Sequence, residues 1–294
     1  MSPTLEQALH LIREDRPEAV DQALALLQNT VYSFGMKVCG HPEDAEDTMQ
    51  DVLVRLLPYL PKFESPQALS VGLYKVARNR CLMNRRGQKN SRGKTCFARR
   101  VDAQPYELRE LIESKEPNPE TNVLRSERDQ GVREAVLKIA PQYRMVLVLH
   151  DREGLNTAEF ARVTGLREAT VRVRVHRARL MLRQHLARRG KAKGVAQIHA
   201  AAEALPKRSR HCRQMFASLS DYMDGLVKDV RYRDMEKHLH ECQPCVAFLD
   251  SLMSAVEQCR TYQPSCDIES ATKPRKVLVE KYQAAVAALP KARA

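Results

Sequence analysis

The chain contains no tryptophan and only 11 glycines among its 294 residues. No glycine-rich phosphate-binding loop and no nucleophile–base set stands out, so the protein is not expected to be an enzyme. No apolar run approaches the ~18 residues needed to cross a bilayer. The first twenty residues mix charges through their apolar positions and lack the continuous apolar core of a secretory signal. A cytoplasmic protein without membrane contact is expected. Alternating apolar strand patterns are scarce, whereas helical periodicity recurs along most of the chain. The expected fold class is therefore all-α.

What the chain has in excess is positive charge. Lys and Arg outnumber Asp and Glu by 49 to 36, giving a net charge of +13. Such a surplus favours polyanion partners, with DNA or RNA ahead of membranes. The eight cysteines read as thiols or metal ligands and not as a disulfide framework. The length is enough for about two or three domains.

Residues 1–20 read as a short helical segment, and residues 21–88 as a three-helix domain. Its second helix opens at Pro42, where proline suits a first turn. Glu43, Asp44, Glu46 and Asp47 follow and complement the positive end of the helix dipole. Ala45, Met49, Val52, Leu56 and Leu60 step along one face, and Pro58 and Pro61 end the helix. After a loop over 62–68, a third helix carries Leu69, Leu73, Val76 and Ala77 inward. Residues 89–125, basic and then acidic with prolines, read as a linker.

Residues 126–187 form a second helical domain. Thr157–Val163, the turn Thr164-Gly165-Leu166 and a helix from about Arg167 make a helix–turn–helix pattern. In its second helix Val171, Val175, Ala178, Leu182 and Leu186 form an inward stripe. Arg172, His176, Arg179 and Arg183 form another stripe, and Arg167, Arg174 and Arg177 add charge. The first turns of such a helix can enter the major groove, where arginine reads guanine edges, while later arginines grip phosphate. An arginine-rich solvated helix on an ordinary bundle is the plainer reading. The preceding helix, the glycine turn and the presence of a single acid, Glu168, argue for DNA.

Residues 188–210 read as a basic linker, 211–258 as a small helical domain, and 259–294 as a tail containing Cys266 and a helix expected over 276–289. In the small domain Cys212 precedes His238, Cys242 and Cys245, spaced H-x3-C-x2-C. Four such ligands can close a tetrahedral Zn2+ site. His238 and Cys242 stand i, i+4 on one helical face. His240 points elsewhere, and His211 rivals Cys212 for the fourth position. The plainer reading is a set of buried reduced thiols beside an ordinary histidine. Cys259 and Cys266 could serve as additional ligands or redox partners. Cys39, Cys81 and Cys96 read as small core or linker residues.

The stretch DREGLNTAEFARVTGLREATVRVRVHRARLML, 151–182, resembles the promoter −35-binding domain of extracytoplasmic-function (ECF) sigma factors. The matches are Glu153-Gly154, Glu159, Ala161, Gly165, Thr170-Val171, Arg174 and Arg177-Ala178-Arg179. Upstream, Asp44-Ala45-Glu46-Asp47, Gln50-Asp51-Val52, Leu73-Tyr74 and Ala77-Arg78-Asn79 resemble the other domain of that family. The resemblance implies that Asp44, Glu46, Asp47 and Gln50 meet core RNA polymerase. It implies that the loop 63–68 with Arg78, Asn79 and Arg80 engages the −10 element. Arg167, Thr170, Arg172, Arg174, His176, Arg177 and Arg179 would meet the −35 element. One departure is Gly72, where family members commonly carry tryptophan. Residues 212–245 resemble the zinc-binding anti-sigma fold, with Tyr222, Asp224 and Gly225 matching its turn.

Together these resemblances imply a sigma factor carrying its own zinc-binding, anti-sigma-like domain in intramolecular contact with the sigma domains. Two other readings stay open. One is a helix–turn–helix regulator that acts without core polymerase, against which the Asp44–Val52 block argues. The other is a sequestering binding protein, against which the intact DNA-contact arginines argue.

Overall fold

The structure is a computed structural model, and it describes residues 3–14, 16–90, 119–192 and 210–262, together with position 284. The fold is all-α, and no strand occurs among the described residues. The described residues fall into two compact units, which divide between residues 128 and 129.

The first unit contains α1 (Pro3–Arg13), α2 (Pro17–Cys39), α3 (Pro42–Leu56), a 3-10 helix (Leu57–Lys62) and α4 (Pro66–Asn90). Leu5, Leu9 and Ile12 of α1 are buried, so the N-terminal helix belongs to this core. Between α2 and α3 the chain turns on Gly40, whose φ of 78° is left-handed and whose N–H closes the helix onto Met36. Pro42 then starts α3 in its first turn. Ala45, Met49, Val52 and Leu56 are buried as one stripe. Gly35 lets α2 and α3 approach closely, since a Cβ there would lie 2.9 Å from the Ala45 backbone. The chain does not stop at Pro58; it tightens into the 3-10 helix, burying Leu57 and Leu60. The loop expected over 62–68 is shorter, because α4 begins at Pro66.

Gly72 has a structural counterpart in Phe63. A Cβ at Gly72 would lie 2.8 Å from the Phe63 ring, so the ring occupies the space a larger residue would need.

α5 (Pro119–Lys138) begins inside the span expected to be a linker. The second unit continues with α6 (Pro141–Leu147), a π-helical turn (Val148–Arg152), α7 (Thr157–Thr164) and α8 (Glu168–Ala192). Val132, Val136, Ile139, Val146, Leu149, Phe160, Val163, Val171, Val175, Ala178 and Leu182 form its core. Three more helices of the unit follow: α9 (Arg210–Met223), α10 (Asp229–Glu241) and α11 (Gln243–Thr261). They pack around Leu219, Met235, Phe248, Leu249 and Leu252, and Leu180 of α8 joins that cluster. Cys96, Cys266 and, apart from position 284, the helix expected over 276–289 lie outside the described residues.

Candidate nucleic-acid interface and metal centre

On α3, Asp47 and Gln50 are exposed, whereas Asp44 and Glu46 are half-buried. Their backbone is fixed from behind by the buried stripe, so the polar face is presented on a rigid element. On α4, Asn79 is exposed and accepts a hydrogen bond from Arg78 at 3.2 Å. Arg80 turns back to Asp51 on α3, with an N–O separation of 2.9 Å.

The helix–turn–helix is locally well specified. Asn156 caps α7 by accepting from the Glu159 N–H at 2.9 Å, and the Glu159 carboxylate accepts from the Asn156 N–H at 3.0 Å. Gly165 ends α7 at φ 72°, donating its N–H to Ala161 at 2.8 Å. The Thr164 hydroxyl donates to the Phe160 carbonyl at 2.9 Å and accepts from the Leu166 N–H at 3.3 Å. The turn between α7 and α8 is thus held by side-chain and backbone bonds at each step.

The faces of α8 divide in an order that the sequence did not give. At ~100° per residue, Val171, Val175, Ala178 and Leu182 form the core stripe. Arg167, Thr170 and Arg177 are exposed and Arg174 is half-buried, and these four share a second stripe. The stripe Arg172, His176, Arg179 and Arg183 lies roughly 170° round from them. From His176 onward that stripe faces α9 and α11. The His176 Nδ1 is 3.0 Å from the Ser220 hydroxyl, and its ring stacks edge-on to Phe216. Arg183 donates to the Ser251 hydroxyl at 2.6 Å and lies over the Phe248 ring at 3.9 Å. Burial lowers the pKa of His176; Asp221 works in the opposite direction, and the Arg179 and Arg177 charges add to the lowering.

Arg179 requires a correction. Expected on a DNA-contacting face, it has no exposed surface at all. Its Nε donates to Asp151 at 2.9 Å, and its two terminal nitrogens donate to Asp224 at 2.7 and 3.0 Å. Nη1 also reaches the Ser220 carbonyl at 3.3 Å. A buried guanidinium costs several kcal/mol of solvation unless it is paired in this way, so its donors are committed inside the protein. Burial works against the charge of Arg179, but the two carboxylates hold its pKa above the ordinary value. Burial likewise raises the Asp151 carboxyl. Hydrogen bonds from Arg179 and His150 outweigh that and hold it well below the usual carboxylate range.

Sequence reasoning did not assign the roles of Asp151, Ser220, Ser251 and Phe248. Asp224 was noted only as part of a turn. That turn places it: Gly225, at φ 67°, reverses the chain after α9 and leaves the Asp224 carboxylate aimed at α8.

Cys212, His238, Cys242 and Cys245 are brought together by α9, the end of α10 and the start of α11. One ligand atom from each lies within 4.8 Å of all the others. The Cys212 and Cys242 sulfurs are 4.0 Å apart, and His238 Nε2 is 3.3 Å from the Cys245 sulfur. A tetrahedron with metal–sulfur bonds of about 2.3 Å has sulfur–sulfur edges of roughly 3.8 Å, so this donor set fits a zinc-sized, thiophilic cation. Burial, then the Cys242 and Cys212 thiols, push the Cys245 thiol up to about 12. His240 is exposed and lies outside this set, and the His211 side chain is not among those described. A second cluster, His150, Asp151 and Asp224, already holds the Arg179 cation between its carboxylates.

Sigma-70 region 2 matches residues 24–91 and sigma-70 region 4 matches residues 129–182. The chain is 29% identical over 170 residues to the ECF RNA polymerase sigma factor SigE of Mycolicibacterium smegmatis, covering 57% of this chain and 62% of that one. It is 23% identical over 186 residues to the ECF RNA polymerase sigma factor SigW of Bacillus subtilis, covering 63% of this chain and 98% of that one. A third relative, the RNA polymerase sigma-E factor of Streptomyces coelicolor, is 28% identical over 163 residues, 55% of this chain and 82% of that one. The chain thus carries sequences similar to sigma-70 regions 2 and 4 in that order, and the relatives it matches are named ECF or RNA polymerase sigma factors.

Proposed function

We propose that this chain recruits core RNA polymerase and recognises promoter −10 and −35 elements to initiate transcription. We further propose that its zinc-binding C-terminal helices modulate that activity through their contact with region 4. The observation that carries the first part is the presence of both sigma regions on one chain, with the first turns of the region 4 helix α8 exposed. Asp44, Glu46, Asp47 and Gln50 supply an acidic face for a basic polymerase surface. Arg167, Thr170, Arg174 and Arg177 supply donors for base edges and phosphates. The protein then acts as a polymerase subunit and not as an enzyme. It works in the cytoplasm beside polymerase and chromosome. No described helix is long and apolar enough to cross a membrane.

Support for the second part is the donor chemistry of Cys212, His238, Cys242 and Cys245, with Leu180 and Arg183 of α8 packed on the same helices. Bound zinc would supply a crosslink between α9, α10 and α11, and the four side chains would hold it as thiolates and neutral imidazole. The test is reconstitution of the purified chain with core polymerase on genomic fragments. Initiation from defined promoters supports the reading, and initiation from none sinks it. The same preparation, assayed for metal content with and without residues 210–294, tests the zinc assignment.

A further inference from the structure

We infer that Asp224, on the C-terminal helices, is a positioning residue for promoter reading: it holds α8 through Arg179 so that the stripe Arg167, Thr170, Arg174 and Arg177 stays outward. This rests on the sigma reading above and gives the C-terminal module a supporting role instead of a blocking one.

Helix α8 is clamped on two sides. Its core stripe is buried against region 4, and its Arg179 stripe is bonded to Asp224, Ser220 and Ser251. The remaining side, roughly 170° from the module at ~100° per residue, carries the exposed arginines. Among the described residues, none of those four side chains bonds to α9, α10 or α11; Arg177 instead reaches the Tyr143 hydroxyl of region 4 at 3.5 Å. A module built to mask the reading surface would cover the first turns of α8. This one leaves them open and engages the later turns.

Asp224 is suited to setting the rotation of the helix. Arg179 presents a planar fork whose Nε side is fixed by Asp151 and whose terminal nitrogens are fixed by Asp224. Two carboxylates from different elements, gripping one rigid plane, define the helix's rotation about its axis far better than either alone. Base readout by bidentate arginine depends on such orientation, whereas nonspecific phosphate attraction does not. Loss of Asp224 should therefore reduce discrimination before it reduces general DNA affinity.

The experiment uses the full chain with core polymerase. The wild-type complex first selects its best-bound duplex from a random-sequence pool. Binding to that duplex and to a scrambled duplex of equal length is then compared across salt. Asp224→Asn is expected to lower the selected-to-scrambled affinity ratio about five- to tenfold, the lower range for coupled sites. Scrambled-duplex affinity and its salt slope should stay unchanged. Asp224→Glu, which keeps the charge, should recover more than half of the ratio. Ser220→Ala, which removes only the His176 bond, should give a smaller fall in the same direction. An unchanged or raised ratio in Asp224→Asn, or an equal fall on both duplexes, overturns the inference. A wild-type complex that enriches no sequence overturns the sigma reading itself, and this inference falls with it.

Discussion

Arg179 and Asp224 stand 45 residues apart in the chain and meet through two hydrogen bonds of 2.7 and 3.0 Å. Asp151 closes the other side of the same guanidinium at 2.9 Å. This triad joins the helix–turn–helix to the turn after α9, and it has consequences for stability.

Replacing Arg179 with Met should destabilise residues 129–263 by about 3–5 kcal/mol, because Asp151 would be left buried without its main partner. Urea unfolding of the full chain measures this directly. Arg179→Lys should recover only part of the loss, since an ammonium cannot bridge two carboxylates with a planar fork.

The same residues set a dependence on pH. Asp151 has a depressed folded pKa, so its contribution is fully present above the unfolded value of about 3.9 and is lost as pH falls toward the folded one. His176 also has a depressed folded pKa, from burial first. The unfolded chain therefore takes up its proton first, and stability declines as pH drops below about 6.5. Two steps are expected in the urea midpoint, a shallow one below about pH 6.5 and a steeper one below about pH 4. His176→Gln should shrink the first, to which the burial-lowered His185 also contributes, and Asp151→Asn should remove the second.

Purified protein should carry about one zinc per chain in the Cys212, His238, Cys242 and Cys245 site. His238→Ala or Cys245→Ser should release it, read by atomic emission or a colorimetric chelator. Chelation of the wild type should loosen α9–α11, measured as faster amide exchange over residues 210–262, because ligand geometry and helix packing are coupled there.

On α3, Asp47→Lys combined with Gln50→Ala should weaken capture by core polymerase at least tenfold and leave thermal stability nearly unchanged. Both residues are exposed on a helix whose opposite face makes the core. A pull-down against core polymerase, paired with a melting curve, reads both effects.

Gly72→Trp should destabilise residues 3–90 by about 1–3 kcal/mol, since the Phe63 ring already fills the space beside Gly72. Phe63→Ala in the same background should restore part of the loss. Thermal melts of the two variants make the comparison.

Much of the molecule is legible in one dimension. The all-α class follows from the 3.6-residue spacing of apolar positions. The ends of α2, α3 and α7 follow from Gly40, Pro42, Asn156 and Gly165, whose local chemistry acts within a few residues. The grouping of Cys212, His238, Cys242 and Cys245 is legible from spacing because the last three lie within eight residues of one another and the first is a cysteine upstream. Less legible was the division of labour on α8. Arg172, His176, Arg179 and Arg183 share a basic stripe, and in sequence they resemble the arginines at 167, 174 and 177. Only the packing of α9 and α11 separates the two sets.

The sequence alone thus determined the helical class, the two sigma regions and the Cys/His grouping, because each depends on neighbours within one or two helical turns, whereas several helix ends, such as the start of α5, did not follow from it. Tertiary structure decided which face of α8 is open, that Arg179 is internal, and that Asp224 reaches it. Those outcomes depend on where a carboxylate 45 residues away is carried by a left-handed glycine turn, and no local periodicity encodes that distance.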